Sequence, residues 1–418
     1  MIKTGKAPLT VMTFLAIMSI SLVVNLPGLA VTPMLGTLSK VFPDSTQLEK
    51  QLLTILPNLL IIPFVLLSGR LSLARHKMPI IIGALVLFCA SAVWYLFASS
   101  MTQLIIISCL IGIGAGLLIP FSTGLIADSF AGSYRMNVMG LQSGISNSVL
   151  VIATFVVGWL SHSGNWHVPF AVYLVGLIPL VMCLWLRNAP DMQPDCAPQT
   201  SDSSTTAEVA ATTSGEKSRN GFYVGKIVSL IAVYFIITFT TITISYYCPF
   251  LIEKKDWNSD LTGTITAVYF LFILLPGYQL PLIVRLLRGY TFIFSAVIAM
   301  LGLALFAFCP GTVTMIIGAA CAGLGYGICQ PMLYDKASVA VSNPCKSTLS
   351  LALVLAANYL AIVVAPFAID GLRSLFHAAG VPTFAFIVGF VILVAFSAAS
   401  IIFRHTFAFN VNKKYYQK

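Results

Sequence analysis

Charge is scarce in this sequence. Of 418 residues, 23 are Lys or Arg and 13 are Asp or Glu, 9% in all, against about 25% in an ordinary soluble protein. Apolar residues make up 58%, and mean hydropathy is +0.94. A soluble fold of this size needs far more polar surface. Soluble enzymes, nucleic-acid binders and disordered proteins are thereby excluded. Histidine is scarce too: the five (76, 162, 167, 377 and 405) fall outside the apolar runs, and no HExxH or GxGD occurs. An intramembrane enzyme would need such groups within the bilayer. No GxxxxGK[ST] occurs either, so a nucleotide-driven pump lacks its phosphate loop. The nine cysteines form no CxxC pair and lie mostly in apolar runs, where Cys behaves as a small hydrophobe. No disulfide framework, metal site or cofactor is expected.

Long apolar windows fill the chain instead. A bilayer-crossing helix needs about 20 mainly apolar residues. Twelve windows hold no Asp, Glu, Lys, Arg or His: 12–34, 51–68, 78–98, 104–126, 138–160, 168–186, 227–250, 262–284, 291–309, 313–334, 348–369 and 383–403. Strands of a membrane barrel would be shorter and would alternate in polarity, so helices are the better reading. Lys3, Lys6, the first run and Gly28-Leu29-Ala30 mimic a secretory signal. Cleavage there would leave eleven spans and break the repeat described below, and the run is read as span one.

The basic residues set the orientation. With the N-terminus inside, 18 of the 23 Lys and Arg fall in cytoplasmic segments and 5 outside, which predicts cytoplasmic termini in a plasma or bacterial inner membrane. The net charge of +10 is thus a topology signal and implies no nucleic acid. Residues 188–221 carry ten Ser or Thr and no aromatic, too little apolar surface to offset ordering. They read as a flexible cytoplasmic linker between bundles at 1–187 and 222–404, with 405–418 as a cytoplasmic tail.

The halves repeat. At an offset of 211 residues, Gly112, Gly114 and Gly116 fall on Gly323, Gly325 and Gly327, Pro120 on Pro331, Arg135 on Lys346, and Asn147 on Asn358. Small residues let helices approach closely. A parallel repeat of this kind predicts two six-helix bundles related by a pseudo-two-fold axis along the membrane normal. With these spans, this linker, the repeated GxGxG…P helix and the basic loop Gly69-Arg70-Leu71-Ser72-Leu73-Ala74-Arg75-His76-Lys77, the chain resembles the major facilitator superfamily over 1–404. The acidic-then-basic run from Asp128 to Arg135 is similar to the loop that follows span four in that family. Leu73 stands where the family usually has Asp, and His76 where it has Gly. Span five has no Gly-Pro pair, and Ser108 and Ile111 replace the Arg and Gln of many proton-coupled members.

The resemblance implies an all-α membrane protein of twelve helices that works by alternating access. It implies a midplane site lined by spans 1, 4, 7 and 10, with 2, 5, 8 and 11 beside them. The polar candidates there for substrate binding are Asn25, Asn58, Gln142, Thr238, Thr241, Gln279, Tyr326, Gln330, Tyr334 and Asn358. Ser143, Ser146 and Asn147 cluster beside Gln142 in span five. Tyr326, Gln330 and Tyr334, four apart, share one helical face and form the best single candidate. Ser and Thr can instead bond back to their own helix, and Asn and Gln can join helices, as the repeat-matched Asn147 and Asn358 would. Asp128, Arg135, Asp335 and Arg70 are the candidates for coupling or gating, with Asp335 one residue beyond its window near the cytoplasmic end. Interfacial loop positions are the plainer reading of these carboxylates. No charge lies at midplane. That predicts a small, mostly uncharged or amphipathic solute. The resemblance implies a secondary transporter, expected to be a monomer, with efflux preferred to uptake because the candidate pocket is aromatic and uncharged, and with protons as the candidate coupling ion. Facilitated diffusion and a non-transporting receptor are the alternatives.

Overall fold

A computed structural model describes residues 4–5, 9–27, 38, 41–43, 47–73, 77–160, 165–185, 222–255, 257, 260–343, 346–378 and 381–411. The predicted linker at 188–221 lies outside the described residues, as do Arg75, His76 and the end of span one. Thirteen α-helices occur among the described residues. They are α1 (Val11–Ile20), α2 (Gln47–Leu71), α3 (Met78–Tyr95), α4 (Met101–Ser129), α5 (Gly132–Leu160), α6 (Leu177–Trp185) and α7 (Val224–Thr241). The series continues with α8 (Thr243–Lys254), α9 (Asp260–Leu287), α10 (Thr291–Phe308), α11 (Thr312–Val339), α12 (Ser347–Leu375) and α13 (Phe384–Ile402).

Nine helical segments among the described residues are long and apolar enough to cross a membrane. One of them, Leu261–Phe308, is 48 residues long and turns through a 3-10 segment at Arg288–Tyr290, where Arg288 has φ 49°. Three windows depart from plain α-helix. In 227–250 the helix breaks at Ile242, between α7 and α8. In 12–34 the helix ends at Ile20 and residues 21–25 run through turns ahead of Pro27, whose ring cannot continue a helix ladder. In 168–186 the first part, Val168–Gly176, is 3-10.

Local chemistry fixes several helix ends. Ser100 Oγ accepts from the Gln103 amide at the start of α4, and the Gln103 side chain accepts from the Ser99 amide. Donors that α4 leaves unpaired are satisfied in this way. α11 runs to Val339, five residues past the predicted window, so Asp335 and Lys336 lie inside it. The helix tolerates both charges because each is paired. Asp335 meets Arg135, and Lys336 Nζ donates to the carbonyls of Phe407 (2.5 Å) and Asn410 (2.6 Å). Part of the predicted tail therefore packs on the C-terminal half, with Ala408, Phe409 and Val411 buried.

The two glycine triplets do the same work in each half. Gly112 and Gly116 of α4 lie against Pro57 and Ile61 of α2, and Gly114 lies against Ala84 and Phe88 of α3. In α11, Gly323 and Gly327 lie against Tyr269 and Ile273 of α9, and Gly325 against Ser295 and Ala299 of α10. A Cβ on Gly325 would stand 2.5 Å from the Ser295 carbonyl oxygen, so only glycine permits that approach. Across the halves, α5 packs on α9 and α2 packs on α12. The α5–α9 contact is backbone to backbone, since a Cβ on Gly140 would come 2.7 Å from the Gly277 carbonyl.

Candidate functional site

A cavity lies between the halves. Its volume is about 70 Å³, against the roughly 10–15 Å³ that one water needs, which is room for several waters or one small ligand. Asn25, Asn58, Thr238, Thr241, Tyr326, Gln330, Tyr334 and Asn358 line it, with Asn147 and an apolar and aromatic wall that includes Tyr269, Phe270, Ile273 and Tyr359. No Asp, Glu, Lys, Arg or His lines it among the described residues.

A continuous hydrogen-bond network joins most of these side chains, while Asn58 and Thr241 bond back to their own helices. Asn25 donates to Asn147 Oδ1 at 3.2 Å, and Asn147 donates to the Ser143 carbonyl at 2.8 Å. Ser143 Oγ donates across the halves to Gln330 Oε1 at 2.9 Å. Gln330 Nε2 donates to the Tyr334 hydroxyl at 2.9 Å, which sits 3.0 Å from the Tyr234 hydroxyl. Tyr326 and Thr238 both donate to Asn358 Oδ1, at 3.1 and 2.7 Å. Buried polar groups this well partnered hold their rotamers and orient whatever they face.

The sequence candidates do not all meet. Gln142 is buried away from the cavity, with Nε2 3.4 Å from Ser122 Oγ and Oε1 without a protein partner. Gln279 is exposed on α9 and lies outside the cavity. The apolar continuity of a span does not reveal which side of it faces lipid. Thr241 lines the cavity, yet its hydroxyl bonds back to the Ile237 carbonyl at 2.7 Å. Tyr234 was not among the candidates, although it sits four residues before Thr238 and so on the same helical stripe. It is fully buried behind the cavity wall, where its hydroxyl meets those of Tyr326 and Tyr334.

A second constellation closes the end of the molecule that carries the basic loop. Arg135 at the start of α5 pairs with Asp335 near the end of α11 at 2.8 Å, with side chains 13% and 5% exposed. Asp335 directly follows Tyr334, the last lining residue of its helix, so this pair sits at the cavity's edge on the basic-loop side. Asp128 at the end of α4 takes Lys77 at 2.7 Å and the Ser347 hydroxyl at 3.1 Å. Lys77 and Asp128 come from the first half, and Ser347 from the second. Gly124 lies directly on Thr348, and a Cβ on Gly69 would stand 2.5 Å from the Ala352 methyl. Arg70 is exposed beside this layer.

A bundle of lipid-length apolar helices around a central, uncharged, polar-rimmed cavity defines an integral membrane solute carrier. The sequence pattern of the Major Facilitator Superfamily matches residues 9–366, and the chain belongs to that family, whose members are transporters and not enzymes. A stretch of 116 residues is 31% identical to the multidrug transporter protein MdtP of Bacillus subtilis (strain 168), covering 28% of this chain and 21% of that protein. Among solved structures, the human organic anion transporter MFSD10 (TETRAN) is similar with a TM-score of 0.67 and 14% identity, over 92% of this chain and 100% of that one. The proton:xylose symporter XylE bound to 6-bromo-6-deoxy-D-glucose gives 0.63 and 15%, over 94% and 95%. A double-Trp XylE mutant gives 0.70 and 16%, over 96% of both chains. At these identities the solved structures speak for the fold alone.

Proposed function

We propose that this transporter moves a small, mostly uncharged or amphipathic organic solute through the central cavity by alternating access of two six-helix bundles. The observation that carries the reading is the cavity rim. It joins both halves through Ser143 and Gln330 and presents amide and hydroxyl groups without a charge. A fixed charge in a low-dielectric site would demand a counter-ion on the solute. An uncharged rim of amides, hydroxyls and aromatic faces suits a neutral one.

The matching contacts of the two glycine triplets support twelve spans and a parallel two-fold relation. The closed layer at Arg135–Asp335, Asp128–Ser347 and Gly124–Thr348 supports a state sealed toward the basic-loop end. With the termini inside, that state faces outward. Asp335 and Arg135 then act as the gate, since their bond exists only while this end is closed. The partial relative named as a multidrug transporter and the aromatic wall favour efflux over uptake. Proton coupling would run through the gate carboxylates, because the described cavity lining holds no carboxylate or histidine.

The test is flux in proteoliposomes with a panel of uncharged solutes, with and without a pH gradient. At least one solute is expected to move in wild type and to lose preference in Gln330→Ala. No flux of any solute by well-folded protein favours a receptor and sinks the transport reading. Equal driving by the gradient in wild type and Asp335→Asn removes Asp335 from coupling.

A further inference from the structure

The rim of the cavity has a direction, and on the first half one backbone carbonyl sets it. The Ser143 carbonyl can only accept, so the Asn147 atom 2.8 Å from it is the amide nitrogen. Asn147 Oδ1 therefore faces Asn25 and accepts from its nitrogen at 3.2 Å. That leaves Asn25 Oδ1 as the atom available to the cavity. Asn147 Nδ2 also reaches the Ser143 hydroxyl at 3.4 Å, and this hydroxyl gives its single proton to Gln330 Oε1. Gln330 must then donate through Nε2, to Tyr334 at 2.9 Å and Tyr234 at 3.4 Å.

Each tyrosine has one proton to give. Tyr326 gives its proton to Asn358 Oδ1. At the 3.5 Å contact of Tyr234 with Tyr326, Tyr234 is therefore the donor. At the 3.0 Å contact of Tyr334 with Tyr234, Tyr334 is the donor. Asn358 Oδ1 is filled by Tyr326 and Thr238, so its NH₂ group is what remains for the cavity. On the opposite wall Asn58 donates to the Thr54 carbonyl at 2.9 Å, and its Oδ1 remains.

We infer that the cavity is polarised, with the acceptors Asn25 Oδ1 and Asn58 Oδ1 on the first half and the donor Asn358 Nδ2 on the second. It takes a neutral solute with a carbonyl or ether acceptor on one side and an N–H or O–H donor on the other. A lactam, secondary amide or hydroxy-ketone on an apolar body is the fitting class. Tyr269, Phe270 and Ile273 provide the wall for that body. A cation meets an NH₂ donor on the second half, and an anion meets two carbonyl oxygens on the first. The inference rests on the cavity being the transport site.

The test uses purified full-length protein and three probes of one ring size: 2-piperidone, N-methyl-2-piperidone and piperidinium. Apparent affinity is read from thermal stabilisation against probe concentration. In wild type 2-piperidone is expected to bind about three- to tenfold more tightly than its N-methyl form, the worth of one neutral hydrogen bond, and piperidinium not to stabilise. Asn358→Asp keeps an acceptor for Thr238 and Tyr326 but replaces the donor by a carboxylate. It is expected to bind piperidinium better than 2-piperidone. Asn58→Leu supplies an independent arm, in which the two lactams draw closer together. Equal binding of the two lactams by wild type, an unchanged order in Asn358→Asp, or no stabilisation by any probe overturns the polarity. Gln330-dependent flux of some solute alongside equal lactam binding removes the polarity and leaves the transport reading. Absence of all flux removes the transport reading whatever the probes do.

Discussion

At the residue scale, Tyr234 and Gln330 hold the two ends of one argument. Gln330 touches the cavity and also bonds Ser143 and Tyr334. Gln330→Ala leaves a buried hydroxyl donor without its acceptor, which costs about 1–3 kcal/mol. It should lower unfolding stability by that order and alter solute preference together. Tyr234 never touches the cavity. Tyr234→Phe removes one relay hydroxyl and should cost about 1 kcal/mol while shifting affinity only through its neighbours Tyr326, Gln330 and Tyr334. If Tyr234→Phe leaves solute affinity unchanged, the tyrosine network is packing and does not orient the rim. The Tyr326–Gln330–Tyr334 stripe was legible because three polar residues at a spacing of four stand out against an apolar span. Tyr234 was not, since a lone aromatic in a membrane helix looks the same whether it faces lipid or a hydroxyl. Gln279 carries the opposite lesson: polarity within a span drew attention to a side chain that ends up exposed.

At the element scale, the helices follow from apolar continuity, and their contacts follow from glycine. Gly325→Ala is expected to disrupt the α10–α11 contact, because the added methyl meets the Ser295 carbonyl at 2.5 Å; overpacking of this kind costs about 1–3 kcal/mol or more. Gly263→Ala, with nothing within 4 Å of its Cβ, should be neutral or stabilising, as alanine favours helix by about 1 kcal/mol. Unfolding of the two variants side by side checks the pair. The repeated GxGxG…P pattern was visible in the sequence at one offset, and its alternating contacts with two neighbours are what the spacing encodes. The end of α11 was less legible. Charge alone argued for a boundary before Asp335, yet Arg135 and the carbonyls of Phe407 and Asn410 pair the charges 200 and about 70 residues away in the chain. Long-range pairing of that sort leaves no local mark. Deleting residues 406–418 should therefore destabilise the protein by stranding a buried Lys336. Adding Lys336→Met should recover part of the loss, as hydrophobic replacements of buried charges do.

At the scale of the whole molecule, the cavity and the closed layer sit on the same helices. α5 carries Arg135, Ser143 and Asn147, and α11 carries Tyr326, Gln330 and Asp335. A movement that parts Arg135 from Asp335 thus also strains the Ser143–Gln330 bond at the cavity floor, which gives solute occupancy a physical route to the gate. The Arg135–Asp335 pair bridges α5 and α11 in the closed state, and breaking a buried pair removes a contact that holds that state together. Opening the basic-loop end returns Arg135 to water, so Asp335→Asn should favour that open state. The direct measurement is the distance between spin labels at positions 70 and 285, on the ends of α2 and α9, in a cysteine-replaced background. Wild type should give mainly one distance, and Asp335→Asn should add a population several ångströms longer. Identical distance distributions in both proteins would contradict a gate at Arg135–Asp335.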